Sequence, residues 1–170
     1  MRLYAKYETI ATFNGVGLAG QNAGVAASNG YVTGIINHNN QTPFSEVLLL
    51  NFSAMTTPTA GKLVVRAWRE EFSSFAFDSA AEGAYLENVT FAAPYGYAPI
   101  IAEIPFEEML SGGQIARVIK EIDIGAGFNK NIPNKYRLIF ENSTNAALSG
   151  TNLRFSANFS VIRGMYVETA

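Results

Sequence analysis

The sequence predicts an all-β protein: an antiparallel β-sandwich of jelly-roll form, carrying an extended N-terminal arm or long loop. Three features carry that expectation. Apolar residues recur with a period of two along most of the 170 residues, which sets one strand face in a core and the other in water. Turn residues interrupt these runs at short intervals, at Asp78–Gly83, Pro94–Pro99, Ser111–Gly113, Gly125–Gly127 and Asn131–Asn134. The alternation of strands with long helices that a parallel sheet needs is missing.

Taken in chain order, Leu3–Phe13 is the first strand. The segment from Asn14 to Gly30 consists almost wholly of Gly, Ala, Asn and Val, with few side chains to bury and much backbone entropy to lose. Tyr31–Ile36 regains strand character. Phe44–Phe52 is a more continuous apolar run, as expected of a strand covered on both faces, and Thr56–Gly61 ends it. Lys62–Phe77 is the longest candidate, with a bend near Glu70 and Glu71. Tyr85–Ala92 and Ile100–Ile104 follow, and Pro105–Leu110 has Pro and two acids where a short helical turn starts. Ile115–Ile124 fits either a helix or a strand by spacing, and its β-branched residues between glycines favour the strand. Tyr136–Phe140 and Asn152–Arg163 complete the set, with Glu141–Asn145 and Ser149–Gly150 as turn chemistry between them.

Charge separates the chain into two parts. Only 15% of the residues are charged, against roughly 25% in ordinary soluble domains. From Thr9 to Gly61 the only charged residue is Glu46. Small neutral side chains are cheap to desolvate and permit close backbone approach. Residues 1–42 therefore read as a strand plus an arm made to pack on another surface, and residues 43–170 as the sandwich body. The arm residues expected at a subunit interface are Asn14, Gly15, Val16, Gly17, Leu18, Gln21, Asn22 and Val25, with Tyr31, Ile35 and Ile36 beyond them.

Composition also excludes partners. Twelve basic against fourteen acidic residues, without a basic stretch, argue against nucleic acid. No run of 18 apolar residues exists to span a membrane as a helix. The absence of Cys rules out thiol nucleophiles, thiolate metal sites and disulfides. Met1–Lys6 is too polar for a secretory signal, so a product made in the cytoplasm and not secreted is expected.

Candidate chemistry is thin. Gly15–Gly20 matches GxGxxG, but no helix and no acid some 20 residues on support a dinucleotide reading. His38, the single histidine, lies in the polar Asn37–Asn40 cluster and reads as an exposed loop residue. Glu70–Glu71 and Glu107–Glu108 are sequence neighbours that point to opposite faces of a strand, unlike the facing carboxyls of a glycosidase. Five Asn-x-Ser/Thr triplets, at Asn40, Asn51, Asn88, Asn142 and Asn158, follow from composition. No catalytic residue, cofactor or metal ligand is expected. Trp68, Tyr95 and Tyr97 are the rings that a sugar-binding face would use, although Trp68 reads more simply as core.

A Cys-free, low-charge sandwich preceded by a neutral Gly/Ala/Asn arm, with Asn/Thr-rich turns and strands from Tyr136 to Val167, resembles the jelly-roll decoration (cement) proteins of tailed-bacteriophage capsids. The likeness is one of architecture. It implies a structural virion subunit, a homo-oligomer and commonly a trimer, that clamps neighbouring capsid subunits without catalysis. A tail, baseplate or fibre component is the nearest alternative. A carbohydrate- or receptor-binding sandwich is the alternative from another class.

Overall fold

The computed structural model describes residues 2–14, 29–33, 35–39, 41, 43–69, 83–85, 98–146, 148–149 and 158–169. Its strands are β1 (Arg2–Asn14), β2 (Asn29–Val32), β3 (Ile36–Asn37), β4 (Ser45–Ala54), β5 (Lys62–Arg69), β6 (Gly83–Tyr85) and β7 (Ile100–Pro105). They continue with β8 (Leu110–Ser111), β9 (Gln114–Ile115), β10 (Arg117–Asp123), β11 (Lys135–Asn142), β12 (Leu148–Ser149) and β13 (Asn158–Thr169). Among the described residues only two 3-10 turns, Phe106–Met109 and Ile124–Phe128, interrupt them, and there the all-β expectation holds.

Two antiparallel sheets carry the fold. The first has the order β1-β13-β4-β10, with β12 continuing alongside β4, and the second has the order β6-β2-β11-β5-β7, with β3 beside β11. Their facing sides share one core. The first sheet contributes Leu48, Leu50, Phe52, Val118, Ile122 and Val161; the second contributes Leu63, Val65, Ala67, Ile104, Tyr136, Leu138 and Phe140. Fully burying an aliphatic or aromatic side chain of this size is worth roughly 1.5–3 kcal/mol. Residues 2–14, 29–32 and 36–37 thus form strands one to three of the chain's own sheets, paired with β13 and β11.

Several element boundaries follow from local chemistry. β4 alternates Glu46, Leu48, Leu50 and Phe52 toward the core with half-buried residues between, so its apolar run has one fully covered face. The ambiguous Ile115–Ile124 segment is strand β10: Val118 and Ile122 point inward while Ile119 is exposed, a period of two. β2 and β3 read as one strand in sequence but break at Thr33. There Thr33 N donates to Leu138 O (2.9 Å) and Thr33 Oγ1 accepts from Leu138 N (3.0 Å), so a hydroxyl replaces a carbonyl in the ladder. β5 ends at Arg69, only Tyr85 of the predicted Tyr85–Ala92 strand lies in β6, and β13 runs from Asn158 on to Thr169; residues 70–77, 86–92 and 152–157 lie outside the described residues.

The turn after β11 is closed by its own side chains. Buried Asn142 donates from Nδ2 to Ala146 O (2.9 Å) and accepts at Oδ1 from Thr144 N (3.0 Å). The Thr144 hydroxyl lies within reach of both Asn142 Oδ1 (2.7 Å) and Ala146 O (2.8 Å). Ser143 and Asn145 strap this turn to the β4–β5 loop, through Ser143 N to Lys62 O (2.9 Å) and Thr59 N to Asn145 Oδ1 (2.8 Å).

Candidate functional site

Strand register sets three charges in one row on the core side of the first sheet. Arg163 of β13 stands opposite Glu8 of β1 on one side and opposite Glu46 of β4 on the other. Arg163 Nη2 donates to Glu8 Oε1, and Lys6 Nζ lies 3.3 Å from the other oxygen of that carboxylate. The Arg163 hydrogen bond first, and Lys6 second, hold the Glu8 carboxyl below its ordinary range.

His38 closes the row from above. Its side chain and that of Glu46 are each 0% exposed, with His38 Nε2 3.1 Å from Glu46 Oε1, at ion-pair distance but not aligned as a hydrogen bond. Arg163 Nη1 lies 3.4 Å from His38 Nδ1. From the second sheet, Tyr136 brings its ring to 5.8 Å from that of His38, tilted by 35°. Burial, followed by the Glu46 carboxylate, pushes the Tyr136 phenol far above its usual range.

The expectation of an exposed His38 is therefore corrected. Asn37 Oδ1 accepts from Asn39 N (2.9 Å), and Asn39 adopts φ 51° on the outside of the turn. His38 N donates to Asn134 O and Gln41 N to His38 O, which pins the turn with the imidazole facing inward. Polar neighbours suggested solvent, but residues adjacent along an extended segment point to opposite sides. The combination of imidazole, carboxylate, guanidinium and phenol suits proton transfer in principle, yet His38 and Glu46 touch no solvent. In this fold the cluster ties β1, the loop after β3, β4, β11 and β13 together.

On the other face of the same strands lies an apolar patch. Tyr7 of β1 stands opposite Gly164 of β13. Phe44, just ahead of β4, covers that glycine: its ring centre is 5.8 Å from Tyr7 and 4.6 Å from Tyr166. A Cβ at position 164 would come 2.7 Å from the Phe44 ring, so glycine makes room for it. Tyr7 and Tyr166 are each 63% exposed and Leu3 64%. The pairing of β13 with β4 ends at Gly164, whereas its pairing with β1 continues to Thr169. Arg2–Lys6 and Met165–Thr169 therefore form a two-stranded ribbon running past the sheet.

The residues singled out in sequence are scattered. Asn14 ends β1, and Gly15, Val16, Gly17, Leu18, Gln21, Asn22 and Val25 lie outside the described residues. Tyr31 sits in β2 opposite Phe140 and Ala84. Ile35 is exposed, but Ile36 is core, so its side chain is unavailable to a partner. Trp68 is 4% exposed on β5, which removes it as a sugar platform; Tyr95 and Tyr97 lie outside the described residues. Glu8, Glu46, Tyr136 and Arg163 were missed. The available signal was Glu46 itself, an isolated acid in phase with Leu48, Leu50 and Phe52, because a buried charge requires a partner.

Among the described residues no group of three or more His, Asp or Glu converges as a metal site, and no helix is long and apolar enough to cross a membrane. No protein-family model matches the chain, and no curated protein sequence is significantly similar to it.

Proposed function

We propose that this protein is a jelly-roll structural subunit of a virion, of the capsid-decoration type, that works by presenting surfaces to neighbouring subunits. The observation that carries this reading is strand order. Counting β1, β2, β4, β5, β7, β10, β11 and β13 as first to eighth, the sheets run first-eighth-third-sixth and second-seventh-fourth-fifth. Two Greek keys wound together produce this order, and jelly rolls recur in viral capsid and lectin domains. Fold supports function only by analogy. The exposed Tyr7–Phe44–Tyr166 patch adds a local reason, since contiguous apolar surface marks contact sites and interface centres are poor in charge. Burial of Trp68 weighs against the lectin branch.

The test uses the full chain, because removing residues 1–42 takes β1, β2 and β3 out of both sheets. Purified protein is sedimented with tailed-phage capsids stripped of their decoration protein. Co-sedimentation at saturable stoichiometry, abolished in Tyr7→Ser/Tyr166→Ser, is expected. A chain that stays in the supernatant yet is retained on a glycan array overturns the reading.

A further inference from the structure

The two edges of the first sheet are unlike. β10 carries Arg117, Lys120, Glu121 and Asp123 within seven residues, the charge density that keeps an edge from pairing with another chain. β1 carries only Arg2, Lys6 and Glu8 within thirteen, and among the described residues it pairs with β13 alone. Half of its backbone N–H and C=O groups therefore point away from the sheet.

We propose that β1 pairs antiparallel with β1 of a second copy of this chain, about a two-fold axis at Tyr7, which joins the two first sheets into one. A two-fold axis normal to the sheet keeps its faces, so facing residues share a face. Centred on Lys6 or on Glu8, the pairing opposes like charges. Centred on Tyr7, it sets Lys6 opposite Glu8 of the partner subunit and Glu8 opposite Lys6 of the partner subunit. The ion pair already present between Lys6 and Glu8 (3.3 Å) then becomes an alternating square of four charges. On the outer face Tyr7 meets its own copy, and the two Tyr7–Phe44–Tyr166 patches become continuous. Centring on Ala5 brings Arg2 opposite Glu8 but slides the patches apart by about 13 Å. Regular pairing spans Ala5–Thr9, because the bulge between Thr9 and Ala11 bends the strand away beyond it. The inference needs only a second copy and does not rest on the virion reading.

Since the chain has no cysteine, single-cysteine variants read the register directly. Opposed residues of an antiparallel pair have Cα atoms about 4.5–5.5 Å apart, within disulfide range. Under mild oxidation Tyr7→Cys should form covalent dimers about tenfold or more faster than Ala5→Cys or Thr9→Cys, whose symmetry mates lie roughly 13 Å apart. Equal rates, or a maximum at Ala5 or Thr9, overturn the proposal. In sedimentation, Lys6→Glu should weaken self-association about tenfold, because it sets a carboxylate opposite Glu8 of the partner subunit. A chain that remains single at every concentration, or a trimer indifferent to Lys6→Glu, also overturns it.

Discussion

Asn142 and Glu46 are both fully buried polar residues, one opening the turn after β11 and the other on β4, yet their surroundings differ in kind. Asn142 is served by residues within four positions: its amide and carbonyl find Thr144 and Ala146, and both ends are hydrogen-bonded. Glu46 has His38 at ion-pair distance, Arg163 opposite it in the strand register and Tyr136 from the other sheet nearby, and neither of its oxygens has an aligned hydrogen bond. Arg163 in turn reaches Glu8, 155 residues away in sequence. A neutral cluster can be completed by the chain's own turn geometry. A charged cluster has to be completed by the whole fold, and it holds only while every partner is present, because desolvation of each charge offsets most of the attraction.

The largest expected effect follows from that difference. Arg163→Met removes the buried guanidinium that pairs with Glu8 and lies against His38, and should cost about 3–5 kcal/mol in urea unfolding. The triple variant Arg163→Met/Glu46→Leu/His38→Leu should recover most of this loss, because apolar residues of similar volume replace the whole buried set. If the triple variant is no more stable than the single, the cluster is a net source of stability and the contrast with Asn142 is wrong.

Gly61→Ala strikes the neutral cluster from outside. Gly61 has φ 87°, and a Cβ there would overlap the Ser143 carbonyl. A destabilisation of about 3 kcal/mol is expected. The amide of Thr59, which donates to Asn145, should then exchange faster with solvent when followed by NMR. Asn142→Ala should cost somewhat less, roughly 1–3 kcal/mol, by leaving Thr144 N unsatisfied and Ala146 O with the Thr144 hydroxyl alone. Its effect should be independent of pH, unlike that of Glu8.

The smallest effects are those of pH. Glu8 has a folded pKa below its ordinary 4.5, so it contributes stability above that value and loses it as pH falls through the lower folded pKa. The gap between wild type and Glu8→Gln should therefore close on acidification. Glu141 behaves oppositely: burial raises its carboxyl more than Arg66, 2.9 Å away, lowers it. Its contribution is complete below 4.5 and fades as pH rises through the folded pKa. Glu141→Gln should gain on wild type over that rise. Urea midpoints measured across about pH 3–7 separate the two signs.

Much of the fold was legible because it is written in nearest neighbours. The apolar run of β4, the β-branched residues of β10, the Tyr136–Phe140 strand and the Glu141–Asn145 turn are local patterns, and the structure places strands and turn there. The candidate site was not legible. The polar Asn37–Asn40 neighbourhood pointed His38 toward water, and nothing near Arg163 in sequence shows that Glu8 and Glu46 flank it. Trp68 was open to two readings until the structure showed it 4% exposed on β5.

By itself the sequence determined the all-β class, the uncharged stretch and the turns at Ser111–Gly113 and Asn131–Asn134, because side-chain alternation and Gly, Asn and Pro geometry act over a few residues. Only the tertiary structure decided that β13 lies between β1 and β4. That one adjacency brings Glu8, Arg163 and Glu46 into a row on one face, and Tyr7, Phe44 and Tyr166 into a patch on the other. Strand order is a long-range choice set by the burial of the whole core, and no local pattern encodes it.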